Sequence, residues 1–343
     1  MRIGLVGYQG SGKSTVFELL TGVKPDASKS HTGQIGVATI PDIRFERLVE
    51  LYQPKKIVPA KIELFDTPGI SRKQQDGNAQ RLAIIREANA LVHVIGEFSD
   101  CDVLAEVNTF EDELVAADFQ VVSNRISRLR KAVTKPRPDR DDLQAELAAL
   151  EPIEATLHNR RTLQEVELSE LQDKIIRSFS LLTKKQRLII LNTAESTDDD
   201  SIVRALRDQG YHVVAAPFGL ELEVQALAEE ERAEYAAEMG LSEPSRDRLL
   251  KSIFEVTEQI VFYTCHENEV HSWLLNRGST ALAAAGSIHS DLARGFIRVE
   301  VISSLDLLRL GSERDVKAAG LHYIEGKDYV VQDGDELLVR FSV

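Results

Sequence analysis

The chain has 343 residues, of which 43% are hydrophobic and 28% charged, and 41 Lys and Arg against 55 Asp and Glu give a formal net charge of −14 at pH 7. This length predicts two or three domains, and the acidic balance excludes a protein that coats nucleic acid over its whole surface, although a local basic patch could still bind RNA. No stretch approaches about eighteen apolar residues and Met1 leads directly into a strand, so neither a membrane span nor a signal peptide is expected, and two distant cysteines, Cys101 and Cys265, suit a reducing cytoplasm.

The chain begins with a strand, a glycine-rich loop and a helix. Arg2 to Val6 predicts a short buried strand, Gly7 to Ser14 fits the pattern G-x-x-x-x-G-K-[ST], and Thr15 to Thr21 has helical spacing. Where a strand, a glycine-rich loop and a helix follow one another in this order, the backbone N–H groups of the loop and the N-terminus of the helix bind phosphate. We expect Lys13 to stabilise the β- and γ-phosphates as a catalytic group and the Ser14 hydroxyl to ligate Mg²⁺. The predicted phosphate-binding residues are Gly7, Gly10, Ser11, Gly12, Lys13, Ser14 and Thr15.

A second motif follows the next predicted elements, a strand over Gly36 to Ile40, a helix over Asp42 to Leu51 and a strand over Lys61 to Phe65. The last of these delivers Asp66-Thr-Pro-Gly69 at its carboxyl end, where ligands of a parallel sheet gather. We expect Asp66 to hold a Mg²⁺-bound water and the Gly69 N–H to face the γ-phosphate as part of the catalytic machinery.

A helical insertion is predicted after a helix over Gln80 to Glu87 and a strand over Ala90 to Ile95. Apolar residues at helical spacing break at Lys135-Pro-Arg-Pro138 and then resume, which indicates a coiled-coil-like hairpin whose second helix kinks or restarts at Pro152. Basic residues crowd around the predicted tip. The candidates for RNA contact are Arg128, Arg130, Lys131 and Arg137. The alternative is that they form the solvated face of a coiled coil.

The sheet then resumes, with strands predicted over Arg187 to Leu191 and His212 to Ala216 and helices over Asp198 to Gln209, Leu222 to Ala237 and Ser245 to Val261. Strands alternating with helices predict an α/β fold, a doubly wound and mostly parallel P-loop sheet. Short β runs around an Ala-rich helix near Ala281 predict a separate α+β domain, with a hairpin turn at Gln332 to Asp335. The predicted runs are Ile260 to Thr264, Gly295 to Ile302, Tyr329 to Val331 and Leu337 to Phe341. The predicted division is residues 1–101 and 186–258 for the nucleotide domain, 102–185 for the insertion and 259–343 for the last domain.

The base-recognition motif departs from that of GTPases. The strand after the insertion ends in Asn192-Thr-Ala-Glu195, where N-K-x-D would place an Asp against guanine. Glu195 is one methylene longer, and Thr193 replaces the Lys that packs over the ring. These residues therefore predict a modest preference for ATP over GTP, with Asn192 reading the adenine edge.

Several segments resemble those of the YchF-type, Obg-like ATPases, a subfamily of translation-factor P-loop proteins. The resemblance spans essentially the whole chain. Its segments are Pro41-Asp42, Val58-Pro-Ala-Lys-Ile-Glu63, Ile85-Arg-Glu-Ala88, Leu91-Val-His-Val94, Asn192-x-x-Glu195, Ala285-Gly-Ser-Ile-His289, Arg294-Gly-Phe-Ile-Arg298, Glu300-Val-Ile-Ser303, Gly326-Lys-Asp-Tyr329 and Val331-Gln-Asp-Gly-Asp335. The resemblance implies a C-terminal TGS domain of ubiquitin-like, β-grasp fold, hydrolysis of ATP with Mg²⁺, and association with ribosomes in the cytoplasm.

The chain also departs from that family, which indicates a divergent paralogue. Its phosphate loop carries Gln9-Gly-Ser11 in place of Pro-Asn-Val, and Thr67-Pro-Gly69 replaces Ile-Ala-Gly. No Thr-Ile-Glu-Pro segment precedes Gly36, which leaves Thr32 as the candidate for the second Mg²⁺ hydroxyl. The second switch is shortened to Lys73 through Asn78. Pro217-Phe-Gly219 replaces Cys-Ala-Lys near the base, so Phe218 joins Asn192, Thr193 and Glu195 as a nucleotide-binding candidate.

The function predicted from these observations is an ATP-binding, Mg²⁺-dependent switch ATPase that docks on ribosomes or ribosomal RNA, rather than on DNA or a membrane. Two alternatives stay open, a GTP-using switch and a module that holds nucleotide with little turnover. Slow hydrolysis is expected because Ile70 occupies the position where Ras-like enzymes place the Gln that orients water.

Overall fold

The computed structural model describes residues 1–71, 77–97, 102–195, 201–239, 241 and 245–342. Most of the predicted second switch, Lys73 through Asn78, lies outside these residues, and so does Cys101. Within them, no helix is long and apolar enough to cross a membrane.

The strands of the described residues are β1 (Arg2–Val6), β2 (Gln34–Thr39), β3 (Lys56–Val58), β4 (Lys61–Asp66), β5 (Ala90–Gly96), β6 (Arg187–Asn192), β7 (His212–Ala216), β8 (Gln259–His266), β9 (Glu269–Asn276), β10 (Phe296–Ser303), β11 (His322–Glu325) and β12 (Asp335–Phe341). The α-helices are α1 (Lys13–Thr21), α2 (Ile43–Tyr52), α3 (Asn78–Ile85), α4 (Val103–Ala132), α5 (Arg140–His158), α6 (Glu170–Ile176), α7 (Ser201–Asp208), α8 (Phe218–Ala226), α9 (Glu229–Glu238), α10 (Ser245–Val256), α11 (Ala281–Ile288), α12 (Ser290–Arg294), α13 (Ser304–Leu310) and α14 (Glu313–Ala318).

The described chain divides into two compact units, Met1–Gly36 with Glu63–Arg246, and Val37–Ile62 with Asp247–Val343. One six-stranded sheet has the order β2-β4-β1-β5-β6-β7, and the pairs from β4 through β7 are parallel. This arrangement confirms the predicted P-loop sheet. It brings the carboxyl ends of β1, β4 and β6 to one edge, and those ends carry the phosphate loop, Asp66 and Asn192.

The helical hairpin is confirmed as α4 and α5, with a dual role for α4. Its first half packs against the nucleotide sheet, where Phe110 shares a buried cluster with Val6 and Tyr8. Its second half packs against α5, with Val122, Ile126 and Leu129 facing Leu150, Ile153 and Leu157. At 30 residues α4 is about 45 Å long, so one continuous helix connects the phosphate-loop core to the basic tip.

The second unit contains a six-stranded sheet of order β11-β10-β12-β8-β9-β3 with a helical layer on it. Residues 37–62 belong to this unit because β3 pairs with β9 at Lys56↔Glu269, and because Phe45 of α2 packs with Val261 and Tyr263 of β8. The hydrophobic periodicity of the sequence does not show that residues 37–62 pack with strands that follow much later in the chain. The predicted three-part domain boundaries remain a prediction.

Several local predictions were wrong. Helix α5 continues through Pro152, so the second helix does not restart there, and a kink at this residue stays a prediction. The helix predicted over Leu222 to Ala237 is two helices, because Leu227 and Ala228 between them are extended. The turn at Gln332 to Asp335 does not close a hairpin, because the strand it leads into, β12, pairs with β10 and β8. Strand β9 was not predicted. It forms the hairpin with β8, and the predicted run at Tyr329 to Val331 makes only an isolated bridge from Val330 to Thr280.

Candidate nucleotide site

The phosphate loop connects β1 to α1, and its glycines are required by space as well as by conformation. Gly7 has φ +140°, and a Cβ there would lie 2.4 Å from the Val94 carbonyl oxygen. Gly12 has φ +91°, and a Cβ there would lie 2.1 Å from the side-chain amide nitrogen of Asn192. Left-handed backbone of this kind favours glycine. The loop therefore closes tightly against β5 and β6, with N–H groups at the start of α1 free for an anion.

Lys13 is held inside the loop. Its Nζ donates to the Tyr8 carbonyl oxygen at 2.7 Å, and the residue is only 7% exposed. Burial lowers the pKa of the Lys13 ammonium to about 8, opposed by the nearby carboxylates of Asp66 and Glu106. A Cβ on Gly69 would lie 3.0 Å from Lys13 Nζ, so the two predicted catalytic residues are neighbours.

The two predicted metal ligands at the loop also meet. Ser14 Oγ donates to Asp66 Oδ2 at 2.7 Å, while Asp66 Oδ1 is buried without a hydrogen-bond partner among the described residues. Burial raises the pKa of the Asp66 carboxyl, opposed by the Ser14 hydrogen bond and by the charge of Lys13. Thr32 is exposed, in the turn after the 3₁₀ helix Ala27–Lys29. Its role as a ligand stays a prediction.

Backbone hydrogen bonds connect the segment after Asp66 to the phosphate loop. Ile70 N–H donates to the Gly7 carbonyl oxygen and Gln9 N–H to the Ile70 carbonyl oxygen, both at 3.1 Å. The Ile70 side chain is fully buried, in one cluster with Tyr8 and Leu82. This position therefore presents no side chain to an attacking water.

At the base end of the site lies a cavity of about 660 Å³ that extends along the phosphate loop to the start of α1. It is lined by Gly10, Gly12, Lys13, Ser14, Thr15, Asn192, Thr193, Ala194, Gly219, Leu220 and Glu223. The Asn192 amide nitrogen donates to the Ser11 carbonyl oxygen at 3.4 Å, and the Thr193 hydroxyl donates to the Glu195 carbonyl oxygen at 2.9 Å. Glu195 is exposed and Phe218 is fully buried, and neither is among the described residues that line the cavity.

The structure adds residues to the site that sequence reasoning missed. Leu220 and Glu223 face the base cavity from α8, and Glu106 and Glu113 reach the loop from α4. The Tyr8 hydroxyl donates to Glu113 Oε1 at 3.1 Å, and its ring meets Phe110 edge-on at 6.0 Å. No motif marks these residues, since they lie on helices far along the chain.

The four RNA-contact candidates around the hairpin tip differ in their pairing. Arg130 pairs with Glu151 at 3.1 Å, and Arg137 makes two 2.9 Å hydrogen bonds to Asp139. Arg128 and Lys131 are exposed, and within the described chain no carboxylate pairs with either. The structure thus leaves two of the four candidate charges uncompensated.

Two family models match the chain. Residues 259–342 match a YchF C-terminal model described as a protein of unknown function, and residues 2–125 match one described as a 50S ribosome-binding GTPase. The chain is 32% identical over 364 residues to the ribosome-binding ATPase YchF of Bacillus subtilis, with 99% of each chain covered. It is also 32% identical to the protein of that name from Haemophilus influenzae, covering 100% of this chain and 99% of the relative.

A more distant relative and a solved structure give the same picture. The chain is 31% identical to Obg-like ATPase 1 of Oryza sativa, covering 100% of this chain and 92% of the relative. A solved structure of the Schizosaccharomyces pombe YchF GTPase matches with a TM-score of 0.80 at 23% identity, covering 99% of this chain and 97% of that one. At that identity the likeness shows the fold alone.

Proposed function

The chain belongs to the YchF family, and on that basis we propose that it is an ATP-binding, Mg²⁺-dependent P-loop ATPase that acts as a nucleotide switch and associates with ribosomes. The relatives that carry this proposal are named ribosome-binding ATPases and match along nearly their whole length. The structural observation that supports it is the juxtaposition of buried Lys13 with Ser14 and Asp66 at the mouth of the loop. Association with ribosomes would place the protein in the cytoplasm.

Mg²⁺ fits the residues present. Ser14 and Asp66 supply two oxygens 2.7 Å apart, and the partnerless Asp66 Oδ1 marks a carboxylate short of donors. Oxygen ligands of this kind suit Mg²⁺, which when bound would neutralise charge on the β- and γ-phosphates. Lys13 would orient the same phosphates and stabilise the charge that develops on them, and the Gly69 N–H would donate to the γ-phosphate.

Preference for ATP is supported by the altered motif at the end of β6. In N-K-x-D the carboxylate beside guanine N1–H and its amino group follows the Asn by three residues, and here that residue is Glu195, which is exposed and not among the described residues that line the cavity; the carboxylate that does line it, Glu223, comes from α8. Adenine has neither of these two donors, so replacing N-K-x-D by Asn192-Thr-Ala-Glu195 should weaken adenine recognition little. We expect discrimination of about 1–3 kcal/mol, the range for one mismatched hydrogen-bonding group.

The proposed nucleotide switch is supported by the contacts that connect the phosphate loop, through α4, to the tip of the helical hairpin. Tyr8, inside the phosphate loop, contacts Phe110 and Glu113 of α4, and the same helix ends near Arg128 and Lys131. A shift of the loop on nucleotide binding would act on one end of a rigid helix whose other end carries free positive charge. Ribosomal RNA would be the target of that charge.

Nucleotide competition and turnover test the proposal. Labelled ATP and GTP are titrated against the full chain, hydrolysis of each is followed, and ribosome co-sedimentation is measured with ATP, with ADP and without nucleotide. We expect tighter ATP binding, slow hydrolysis lost in Lys13→Ala, and sedimentation that depends on the nucleotide. Combining Glu195→Asp with Thr193→Lys should move the preference toward GTP.

The two alternatives give different results in the same assays. A GTP switch would bind GTP more tightly before any substitution is made. A nucleotide-holding module would bind ATP yet show no turnover, alone or with ribosomes. Fast turnover by the isolated protein, at tens per second, would contradict the slow intrinsic rate expected from Ile70.

A further inference from the structure

The second unit contains a cavity of about 270 Å³ at the place where β8 and β12 separate. The two strands pair in parallel at Tyr263↔Glu336, and the described residues show no further ladder pairing between them as they continue to His266 and Phe341. The cavity is lined by Thr264, Cys265, His266, Glu269, Trp273, Ile288, Leu292, Glu300, Ile302, Glu313, Lys317, His322, Glu336, Leu337, Leu338 and Val339.

Glu336 is the buried carboxyl group of this cavity, only 7% exposed. The Tyr52 hydroxyl lies 3.0 Å from Glu336 Oε1 and also 3.0 Å from Glu313 Oε1, and one hydroxyl proton can serve only one of them. Glu336 Oε2 has no hydrogen-bond partner among the described residues. A buried carboxylate with so few donors is costly in the free protein and is stabilised by any cation that reaches it.

The other carboxylates that line the cavity already have cations. Their pairs are Glu300 with Arg340 at 2.8 Å, Glu313 with Lys317 at 3.4 Å and Glu269 with Lys56 at 2.5 Å. In the described structure no Lys, Arg or His comes within ion-pair distance of Glu336. When it is ionised, Glu336 is therefore the carboxylate of the described cavity lining that has no ion-pair partner.

The other residues that line the cavity indicate which kind of cation it binds. No three His, Cys, Asp or Glu side chains of the described chain come together as a metal site, which argues against a metal ion. The apolar part of the lining instead suits a hydrocarbon, and Ile302 and Leu338 supply it on the same face of the sheet as Glu336. A volume of about 270 Å³ is below the range of about 300–1,000 Å³ for drug-sized ligands and suits a short chain.

We infer that this cavity binds a primary alkylammonium group, with the ammonium donating to the Glu336 carboxylate and the alkyl chain against Ile302 and Leu338, whose side chains share the face of the sheet that carries Glu336. Two sources share this chemistry, a free di- or polyamine and the side chain of a lysine. The inference is independent of the nucleotide site, since all the residues that carry it belong to the second unit.

The single tryptophan of the chain, Trp273, lines the cavity, so its fluorescence reports occupancy in the full-length protein. We would titrate butylammonium chloride at constant ionic strength, with butanol and sodium butyrate as neutral and anionic controls. Saturation-transfer NMR on the same probes covers binding that leaves the fluorescence unchanged. Only butylammonium should saturate the signal. Putrescine and acetyl-lysine amide then distinguish the two sources by which binds more tightly.

Glu336→Gln keeps the shape of the side chain and removes its charge, and we expect it to weaken butylammonium about tenfold or more. Glu325→Gln is the matched control, because it removes one charge from β11 of the same sheet outside the cavity lining, and it should change affinity less than about twofold. Equal weakening in both variants, or equal binding of butanol and butylammonium, would overturn the inference. So would the absence of saturable binding by both methods.

The pH dependence gives a second readout. Burial, then the charge of Glu313, raises the pKa of the Glu336 carboxyl to about 7. Because the ligand needs the ionised acid, affinity should rise as pH increases from about 6 to about 8 and then level off, while the amine stays charged. The other titratable groups that line the cavity or hydrogen-bond to Glu336 are Tyr52, Cys265, His266, Glu269, Glu300, Glu313, Lys317 and His322. A rise that persists in Glu336→Gln would assign the effect to one of those groups and contradict the role of Glu336.

Discussion

The side-chain amide of Asn192 donates to the Ser11 carbonyl oxygen at 3.4 Å, so the end of β6 is bonded to the phosphate loop. If this bond is the main role of Asn192, Asn192→Ala should weaken ATP and GTP alike, each by about threefold to tenfold, as expected for one neutral hydrogen bond. Thr193→Ala, at the base end, serves as the comparison. A change in the ATP-to-GTP ratio caused by Asn192→Ala would instead indicate that its side chain reads the base.

The buried ammonium of Lys13 should make nucleotide affinity depend on pH. Its pKa is about 8 in the free protein, and phosphate favours the charged form, so the pKa rises on binding. Affinity for ATP should therefore be constant below about pH 7 and fall above about pH 8, approaching tenfold per pH unit. Titrations with labelled ATP from about pH 6.5 to about 9.5 measure this.

The control for that profile is Lys185, a half-buried lysine whose pKa is lowered to about 8, mainly by its partial burial. Its Nζ donates to the Arg86 carbonyl oxygen at 3.1 Å, away from the described lining of the nucleotide cavity. Lys185→Gln should keep the alkaline loss of ATP affinity, and Lys13→Ala should remove it along with most of the binding. Loss of the slope in Lys185→Gln alone would show that Lys13 does not carry it.

Ile70 is fully buried against Tyr8 and Leu82, so placing a glutamine there should not create a Ras-like enzyme. Ile70→Gln buries an amide in an apolar cluster, and we expect a loss of about 2–4 kcal/mol in the free energy of unfolding with no gain in ATP turnover. Thermal denaturation and a hydrolysis assay on the same sample measure both. Faster hydrolysis at unchanged stability would mean that the side chain turns toward the nucleotide.

Tyr8 offers a test of the connection between the loop and the hairpin. Tyr8→Phe removes the hydroxyl that donates to Glu113 Oε1 at 3.1 Å and keeps the ring against Phe110. ATP affinity should change less than about twofold, because the loop uses the Tyr8 backbone carbonyl rather than the hydroxyl. The difference in ribosome co-sedimentation between ATP and ADP should shrink. An undiminished difference would show that the nucleotide signal does not pass through this bond.

The hairpin tip supplies a matched pair of charge-reversal variants. Arg128→Glu with Lys131→Glu changes two unpaired cations, whereas Arg130→Glu with Arg137→Glu makes the same charge change at residues paired with Glu151 and Asp139. If the free cations contact ribosomal RNA, the first variant should weaken ribosome co-sedimentation more, and the effect should decrease as salt is raised. ATP binding is the control and should be unchanged in both.

Equal weakening by the two tip variants would mean that total charge matters rather than the free cations. If neither weakens sedimentation at low salt, the hairpin is a spacer, and the docking surface lies elsewhere.

The sequence alone determined the phosphate loop, because every group it needs is supplied by neighbouring residues. Strand, glycines, Lys13, Ser14 and the start of α1 follow one another, so local conformational preference and chemistry suffice to predict them. The long helices of the insertion were predictable for a similar reason, since the spacing of Val122, Ile126 and Leu129 along α4 is set within the helix itself.

Only the tertiary structure decided what surrounds those groups. The carboxylate of Glu106 beside Lys13, the bond from Asn192 to Ser11, and the hydrogen bond from Tyr52 to Glu336 each join residues far apart in the chain. The pairing of β3 with β9, which includes residues 37–62 in the second unit, is of the same kind. Such contacts depend on which strands become neighbours and on how the helices pack. A local pattern of hydrophobicity does not specify these neighbours, because burial is favourable against any apolar surface of suitable shape.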